Sequence, residues 1–280
     1  MSVSYNFCNK LFHGCGIAGM RMLDDDSIPL VVTSPPFGSI RDYGGHPFYF
    51  KPMARELWRV AMPGGIVCWH VQDQMTEGAE SGESFRQCLY FLELGFRLHT
   101  TLTVDCGVVG KYRFRYGQPA QYVFVLSKGK PRLFNPIRRI PNASAGKVRA
   151  FKGRLRNGTQ KFRQERRIKP FRKLGSHWTY PIGVHSHSDP ESIEHPAPMP
   201  ESLAEDLIAS WSSENDLVLD PMSGAGTTAK MAFVSNRCYL GFEINREYHD
   251  LAVARMEKVA AEAATPKLGR RIESDDLDAA

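Results

Sequence analysis

Two short loops, each placed directly after a short apolar run, limit what this chain can fold into. The run 28–32 (Ile-Pro-Leu-Val-Val) leads into Thr33-Ser34-Pro35-Pro36-Phe37, and the run 217–219 (Leu-Val-Leu) leads into a glycine-rich loop at 220–228, DPMSGAGTT. A short apolar run that ends in a turn indicates a strand buried on both faces. Open α/β sheets place their ligands at the carboxyl ends of such strands. The two loops therefore predict a ligand site at one edge of a parallel sheet.

Strands and helices are predicted to alternate through most of the chain. The residues 62–65, Met-Pro-Gly-Gly, are predicted to end the helix that precedes them and to separate it from the next strand. This alternation predicts an α/β fold with a doubly wound, mostly parallel sheet of Rossmann-like topology. Apolar spacing predicts helices over 49–61, 82–94, 201–212, 227–235 and 246–260, and strands over 66–71, 96–104, 121–126 and 238–242.

Composition excludes several classes of protein. The chain has 280 residues and 42% hydrophobic content, which is enough for one large core. Six scattered cysteines without a C-x-x-C pair predict neither a disulfide framework nor a zinc site, and we expect no metal. With no apolar stretch of about 20 residues and no visible signal peptide, we expect a cytoplasmic protein without a membrane segment.

The positive charge is concentrated in one block. Residues 128–173 hold 17 Lys and Arg and one acid, Glu165, whereas the rest of the chain holds 19 basic and 29 acidic residues. Such a block predicts a polyanion-binding surface, because lysine and arginine gain affinity when they neutralise phosphates. A solvated linker is the alternative. Linkers seldom carry as many aromatic residues as this block has: Phe134, Phe151, Phe162, Phe171 and Trp178. No helical period appears over 128–190, which predicts an inserted recognition region with little regular core.

The glycine-rich loop predicts a nucleotide-like cofactor. It is neither the dinucleotide fingerprint, whose third glycine is missing, nor a phosphate-binding P-loop, which would end in Gly-Lys-Ser/Thr. Glu243 ends the next predicted strand, where an acid accepts hydrogen bonds from ribose hydroxyls. A helix-start turn beside a surface acid is the alternative interpretation of the same residues.

The Ser34-Pro35-Pro36-Phe37 loop predicts a rigid catalytic segment. Two prolines fix the backbone, so the loop can aim the Ser34 hydroxyl and a carbonyl oxygen at one point, and Phe37 can stack on a planar substrate. The amino group of a base is a poor nucleophile, because its lone pair is delocalised into the ring. Acceptors aimed at its protons favour the tetrahedral form that attacks a methyl group. A proline-rich strand terminator with Phe37 in the core is the alternative.

Together these motifs resemble the bacterial and phage DNA amino-methyltransferases that use S-adenosyl-L-methionine. The family's (S/N/D)-P-P-(Y/F/W), H-P-A-x-x-P and D-P-F-x-G-x-G-T-T motifs are similar to residues 34–37, 195–200 and 220–228, with Met222 in place of Phe. Residues 120–130 resemble the family strand that helps to build the target-base pocket. The catalytic motif precedes the cofactor loop, which is the permuted order of the beta class. Many relatives carry a Gly-Asp pair near the N-terminus, but here 13–16 reads His-Gly-Cys-Gly and lacks the acid.

The resemblance implies a class I methyltransferase fold with a recognition insertion, double-stranded DNA as the partner, and a restriction-modification role. It divides the chain into a catalytic half (1–127), the basic recognition insertion (128–192), a cofactor-binding half (193–263) and a disordered tail (264–280). The implied catalytic residues are Ser34, Pro35, Pro36 and Phe37. The implied cofactor-binding residues are Pro198, Pro200, Asp220, Pro221, Ser223, Gly224, Gly226, Thr227, Thr228 and Glu243. The DNA-binding candidates are Arg113, Arg115, Arg138, Arg139, Arg154, Arg156, Arg166 and Arg167.

The target base follows from the first position of the catalytic motif. Serine there is commoner in the enzymes that methylate cytosine N4, and aspartate in those that methylate adenine N6. Ser34 therefore predicts cytosine N4 as the target, with adenine N6 as the alternative. Methylation of RNA and a non-catalytic nucleic-acid-binding relic are further alternatives, and the sequence leaves monomer and homodimer open.

Overall fold

The computed structural model describes residues 7–37, 45–105, 107, 116–117, 120–181, 186–189 and 195–264. Over these residues the helices are α1 (Gly16–Met20), α2 (Phe50–Val60), α3 (Glu83–Glu93), α4 (Glu201–Trp211), α5 (Thr227–Val234) and α6 (Arg246–Ala264). The strands are β1 (Lys10–His13), β2 (Ile28–Thr33), β3 (Ala61–Val71), β4 (Met75–Thr76), β5 (Ala79–Glu80), β6 (Arg97–Asp105), β7 (Ala120–Ser127), β8 (Arg138–Pro141), β9 (Val148–Arg154), β10 (Gln160–Arg167), β11 (Phe171–Lys173), β12 (His177–Thr179), β13 (Leu217–Asp220) and β14 (Cys238–Glu243).

Eight strands form the central sheet, in the order β1-β14-β13-β2-β3-β7-β6-β12. Strand β7 is antiparallel to both of its neighbours, and the other neighbouring pairs are parallel. The predicted doubly wound, mostly parallel sheet is therefore confirmed. From the adjacent strands β13 and β2, the chain continues outward in opposite directions, to β14 through α5 and to β3 through α2. Such a switch in strand order opens a crevice at the carboxyl ends of the two strands.

The sheet is covered by helices on both faces. Helices α1, α2 and α3 pack on one face together with Val31 of β2, whereas α4 and α5 pack on the other with Leu30 and Val32. Successive side chains of a strand point to opposite faces, so every residue of β2 is buried. This double burial explains why the strand is a continuous apolar run.

The helix ends before 62–65 as predicted, at Val60, but β3 starts at Ala61 and not at the predicted residue 66. The glycines in this segment allow close backbone approach. A Cβ atom on Gly65 would lie 2.9 Å from the carbonyl oxygen of Ile28, and Gly64 has a φ of +79°. The Gly64 N–H donates to the carbonyl of Lys128 at 2.6 Å. These residues therefore continue the sheet.

The segment 128–190, for which the sequence predicts little regular core, contains short strands that the sequence did not reveal. Strands β9 and β10 form one antiparallel pair, β8 and β11 form another, and β12 joins the central sheet beside β6. The described side chains of β8 and β11 are largely exposed, so these strands lack the apolar alternation that marks a half-buried strand. Two of the aromatic residues in the block pack on the protein itself. Phe134 stacks on Trp211 of α4, with ring centroids 4.7 Å apart, and Trp178 is buried.

The cysteines do not all remain free, contrary to the expectation from their spacing. Cys8 and Cys238 form a disulfide across 230 residues. Strand β1 pairs with β14 in the register Lys10 to Leu240, which brings the two cysteines to the same level of the sheet. A fold-level pairing of this kind is not visible in cysteine spacing. No helix in the described ranges is long and apolar enough to cross a membrane.

Candidate active site

A cavity of about 170 Å³ opens at the carboxyl ends of β2 and β13, where the strand order switches. Its wall is formed in part by the Ser-Pro-Pro-Phe loop at 34–37, the glycine-rich loop, the end of β14 and the N-terminal loop at 13–17. A smaller cavity adjoins it and shares Ser34, His195 and Gly224 with it. The larger cavity is lined by Cys15, Gly16, Ile17, Ser34, Pro36, His46, Pro47, Phe48, Tyr49, Met53, His195, Ala197, Pro221, Met222, Gly224, Glu243, Ile244 and Tyr248.

The two loops are joined by buried hydrogen bonds. The Thr33 hydroxyl donates to Asp220 Oδ1 at 2.7 Å, and the backbone N–H of Met222 donates to the same oxygen at 3.1 Å. The Thr228 hydroxyl donates to the carbonyl of Val32 at 3.3 Å. Burial raises the pKa of Asp220 to about 6, although the hydrogen bonds from Thr33 and Met222 oppose the shift. The ends of β2 and β13 are therefore held in a fixed relation.

The glycine-rich loop is organised around Glu243. Gly224 and Gly226 have φ angles of +50° and +76°, a left-handed conformation that favours glycine. The Gly224 N–H donates to Glu243 Oε2 at 2.7 Å, and the Asn245 N–H donates to Oε1 at 2.8 Å. Each carboxylate oxygen has two lone pairs, so both can accept a further hydrogen bond from a ligand. Glu243 thus presents a fixed acceptor to the cavity.

The N-terminal loop closes the cavity without an acid. Its lining residues are Cys15, Gly16 and Ile17, none of which is acidic. The Gly14 N–H donates to the Glu243 carbonyl at 2.7 Å. A Cβ atom on Gly16 would lie 2.0 Å from the carbonyl oxygen of Pro221, so only glycine fits there. Backbone contact therefore positions this loop against the glycine-rich loop.

The Ser-Pro-Pro-Phe loop at 34–37 separates the main cavity from a second, smaller one that is lined mainly by polar residues. Ser34 and Pro36 line the main cavity, whereas Pro36 and Phe37 line the other. The Phe37 ring meets the His70 ring edge to face, with centroids 5.8 Å apart. The remaining walls of the polar cavity carry amide, hydroxyl and carboxyl groups together with one apolar residue: Val71, Gln72, Gln74, Ser81, Glu83, Ser84 and Gln87.

Two histidines beside the cavities are held neutral. Burial lowers the pKa of His70 to about 4, and its Nε2 atom lies 2.7 Å from Gln121 Oε1. Burial likewise lowers the pKa of His195 to about 4, and its ring packs edge to face on Tyr248 with centroids 4.6 Å apart. Sequence reasoning missed His70 and Tyr248, because a single histidine in an apolar strand and a single tyrosine on a helix carry no signal.

Most of the predicted catalytic and cofactor-binding residues come together. Pro35 is buried behind the loop, and Pro200 and Gly226 occupy the N-cap positions of α4 and α5. These three residues line neither of the two adjoining cavities, because their backbones start or support the elements that present the lining residues. The residues that do line one or both are Ser34, Pro36, Pro198, Asp220, Pro221, Ser223, Gly224, Thr227, Thr228 and Glu243.

The basic candidates divide into three groups. Arg138, Arg156, Arg166 and Arg167 are exposed. The guanidinium of Arg139 pairs with Asp206 of α4 and lies 3.2 Å from the Tyr180 hydroxyl, so it links β8 to α4. Outside the described part of the chain lie Arg113, Arg115 and the side chain of Arg154.

No cluster of three or more His, Cys, Asp or Glu that could hold a metal ion occurs among the described residues.

Comparison with known proteins agrees with this geometry. Residues 28–254 match the DNA methylase family of N6 and N4 methyltransferases. The orphan methyltransferase M.BamHII of Bacillus amyloliquefaciens is 43% identical over 84% of this chain and 91% of its own length. The DNA adenine methyltransferase YhdJ of Escherichia coli K12 is 23% identical over 95% of this chain and 88% of its own. The solved PvuII DNA methyltransferase (cytosine-N4-specific) has the same fold, with a TM-score of 0.66, 19% identity and 90% of each chain covered.

Proposed function

Because this chain belongs to the DNA methylase family and is an S-adenosyl-L-methionine-dependent DNA methyltransferase, we propose that Ser34-Pro35-Pro36-Phe37 is the loop at which the methyl group is transferred. The observation that carries the proposal is the shared cavity. Ser34 lines the same cavity as Gly224 and Glu243, and the Thr33 to Asp220 hydrogen bond holds the two loops together. A place in a restriction-modification system is part of the same proposal.

The residues around the main cavity suit the cofactor. Glu243 offers carboxylate oxygens to ribose hydroxyls, and the left-handed turn at 224–226 brings backbone close to the ligand. The aromatic and apolar walls formed by Phe48, Ile17 and Tyr248 suit a flat adenine ring. When bound, S-adenosyl-L-methionine supplies an electrophilic methyl group on a positively charged sulfur.

The catalytic loop orients the acceptor amino group. The Ser34 hydroxyl oxygen and the Pro35 carbonyl accept hydrogen bonds from the amino protons, which turns the nitrogen lone pair toward the main cavity. The neutral His70 supports the Phe37 ring and adds no positive charge beside a group that becomes positive as it is methylated. Positioning and fixed dipoles therefore provide most of the rate enhancement.

The target base must leave the helix to reach this loop. Flipping a base out of duplex DNA costs a few kcal/mol and is the usual solution when chemistry is done on a base. We propose that the flipped base lies against Phe37 and that the cavity of about 40 Å³ beside this ring takes the hydrogen-bonding edge of the base, because the amide groups of the cavity can match that edge. The proposed target is cytosine N4, on the ground that the loop begins with Ser34. Adenine N6 is the alternative, which YhdJ, named as an adenine methyltransferase, keeps open.

The basic insertion is proposed to grip the DNA. Strands β9 and β10 form a two-stranded antiparallel ribbon, a shape that the major groove admits. Arg166 and Arg167 are exposed on β10, and Arg156 lies in the turn between the strands. We expect these arginines to contact phosphates and to fix the register of the protein on the duplex.

The test is the Ser34→Ala variant. It should abolish methyl transfer to duplex DNA, while calorimetry shows binding of S-adenosyl-L-methionine close to wild type. Ser27→Ala is the matched control. It removes a hydroxyl that donates to the backbone carbonyl of Asp24, far from the cavity, and the variant should remain active. Full activity of Ser34→Ala would refute the catalytic assignment.

A further inference from the structure

A buried cluster of charged side chains lies directly behind the glycine-rich loop. It consists of two acids, Asp189 and Glu201, and two bases, Lys230 and Arg255. Arg255 is only 2% exposed and Lys230 only 7%. Burial opposes ionisation of the acids, but hydrogen bonds from Lys230 and Arg255 outweigh it and lower the pKa of both carboxyls. The cluster is therefore charged and balanced at neutral pH.

Arg255 connects this cluster to the loop. Its Nε donates to Asp189 Oδ2 at 2.9 Å and its Nη2 to Glu201 Oε1 at 2.6 Å. Its Nη1 donates to the Ala225 carbonyl at 2.8 Å and to the Thr227 hydroxyl at 3.1 Å. All three nitrogens of the guanidinium are thus engaged. Only the fork of an arginine can make these contacts at once, since a lysine offers a single nitrogen.

Lys230 belongs to the same cluster but does not reach the loop with its side chain. Its ammonium group donates to Glu201 Oε1 at 2.7 Å and to the Ser188 hydroxyl at 2.6 Å, and it pairs with Asp189. Loss of either base leaves buried carboxylates short of a partner and destabilises the fold. Only the loss of Arg255 also removes the hydrogen bonds to Ala225 and Thr227 in the glycine-rich loop. Comparing variants at the two positions therefore separates an effect on the stability of the fold from an effect on the loop.

We propose that Arg255 is a positioning residue for cofactor binding. By holding the Ala225 carbonyl and the Thr227 hydroxyl, it sets the turn at 224–226 before the ligand arrives, so that the ligand does not have to order the loop. The inference rests on the proposed function, in which this loop and Glu243 hold S-adenosyl-L-methionine. Arg255 itself touches neither of the reacting groups, so its effect falls on cofactor affinity.

The experiment compares Arg255→Met, Arg255→Lys and Lys230→Met in the full chain. Calorimetry gives the Kd for S-adenosyl-L-methionine, steady-state kinetics separates KM from kcat, and urea unfolding gives stability. Arg255→Met should weaken cofactor binding by about tenfold or more, the equivalent of one or two hydrogen bonds, with kcat at saturating cofactor within about threefold of wild type. Arg255→Lys should be intermediate. Lys230→Met should lose comparable stability but keep its Kd within about twofold of wild type.

Three outcomes are decisive. If Arg255→Met and Lys230→Met weaken cofactor binding equally, or if Arg255→Met changes stability alone, Arg255 is merely structural and the proposal is wrong. A fall in kcat with unchanged KM would overturn it as well. Glu243→Ala tests the underlying assignment separately. If that variant binds the cofactor like wild type, the loop assignment is wrong, whereas if it loses binding and Arg255→Met does not, only the role of Arg255 is refuted.

Discussion

Replacing Thr33 with Val tests the contact that holds the catalytic and cofactor loops together. Thr33 is fully buried, and its hydroxyl donates to the Asp220 carboxylate at 2.7 Å. Valine keeps the shape and the β-branching but removes one donor from a buried charge. A hydrogen bond to a charged group contributes about 1.5–3 kcal/mol, and one between neutral groups about 0.5–1.5 kcal/mol. We expect Thr33→Val to lower the free energy of unfolding by about 2 kcal/mol at pH 8.

The size of this loss should depend on pH. Burial raises the pKa of Asp220 to about 6 in the folded protein, so the carboxyl group is ionised at pH 8 and mostly protonated at pH 5. At pH 5 the hydroxyl faces a neutral acid, and the loss should fall to about 1 kcal/mol. Urea unfolding followed by tryptophan fluorescence measures both values. Thr101→Val, at a half-buried position of β6, is the control and should show no such pH dependence.

A double-mutant cycle with Asp220→Asn completes the test. Asparagine keeps an acceptor oxygen and removes the charge, so Thr33→Val should do less damage in that background, with a coupling energy of about 1 kcal/mol at pH 8. Equal losses at both pH values, together with additive single and double variants, would refute the idea that a charge-assisted bond joins the loops.

Three further predictions concern stability and DNA binding. Because burial raises the pKa of Asp220, wild type has a stability contribution that is fully present below about pH 4 and lost as the pH rises through about 6. Asn does not titrate, so the free energy of unfolding of Asp220→Asn, measured with urea, should rise relative to wild type by up to about 3 kcal/mol between pH 4 and pH 7. Gly19→Ala should lower stability by about 1–3 kcal/mol in calorimetry, because its Cβ would lie 2.2 Å from the Phe242 ring, whereas Gly175→Ala, which meets nothing within 4 Å, should not. Arg166→Glu should weaken duplex binding and flatten its salt dependence by roughly one phosphate contact, with cofactor affinity unchanged; an unchanged salt slope would contradict the phosphate role.

The parts of the fold with local signals could be predicted from sequence. Helix α2 was predicted over 49–61 and spans Phe50–Val60, because its apolar residues repeat at helical spacing. The glycine-rich loop and Glu243 were predicted correctly as the ends of β13 and β14, since short apolar runs followed by polar turns mark the carboxyl ends of buried strands. The order of elements was then sufficient to predict the sheet.

The features that the sequence did not reveal depend on contacts between distant residues. The Cys8 to Cys238 disulfide and the Arg255 contact with Ala225 join segments whose proximity exists only after the sheet has formed. Strand β8 was missed for a different reason: its side chains are largely exposed, and without burial no apolar period is imposed on the sequence. The cavity beside Phe37 likewise depends on side chains from several elements, and composition and spacing do not specify its walls.

The most direct test of the central claim is to identify the methylated nucleoside. Duplex DNA is incubated with the protein and S-adenosyl-L-methionine that carries a deuterated methyl group, then digested and analysed by mass spectrometry against authentic standards. The account predicts label in N4-methylcytosine that disappears with Ser34→Ala. Label only in N6-methyladenine would contradict the cytosine assignment, and label only on a ring carbon, as in 5-methylcytosine, would contradict amino methylation at this loop.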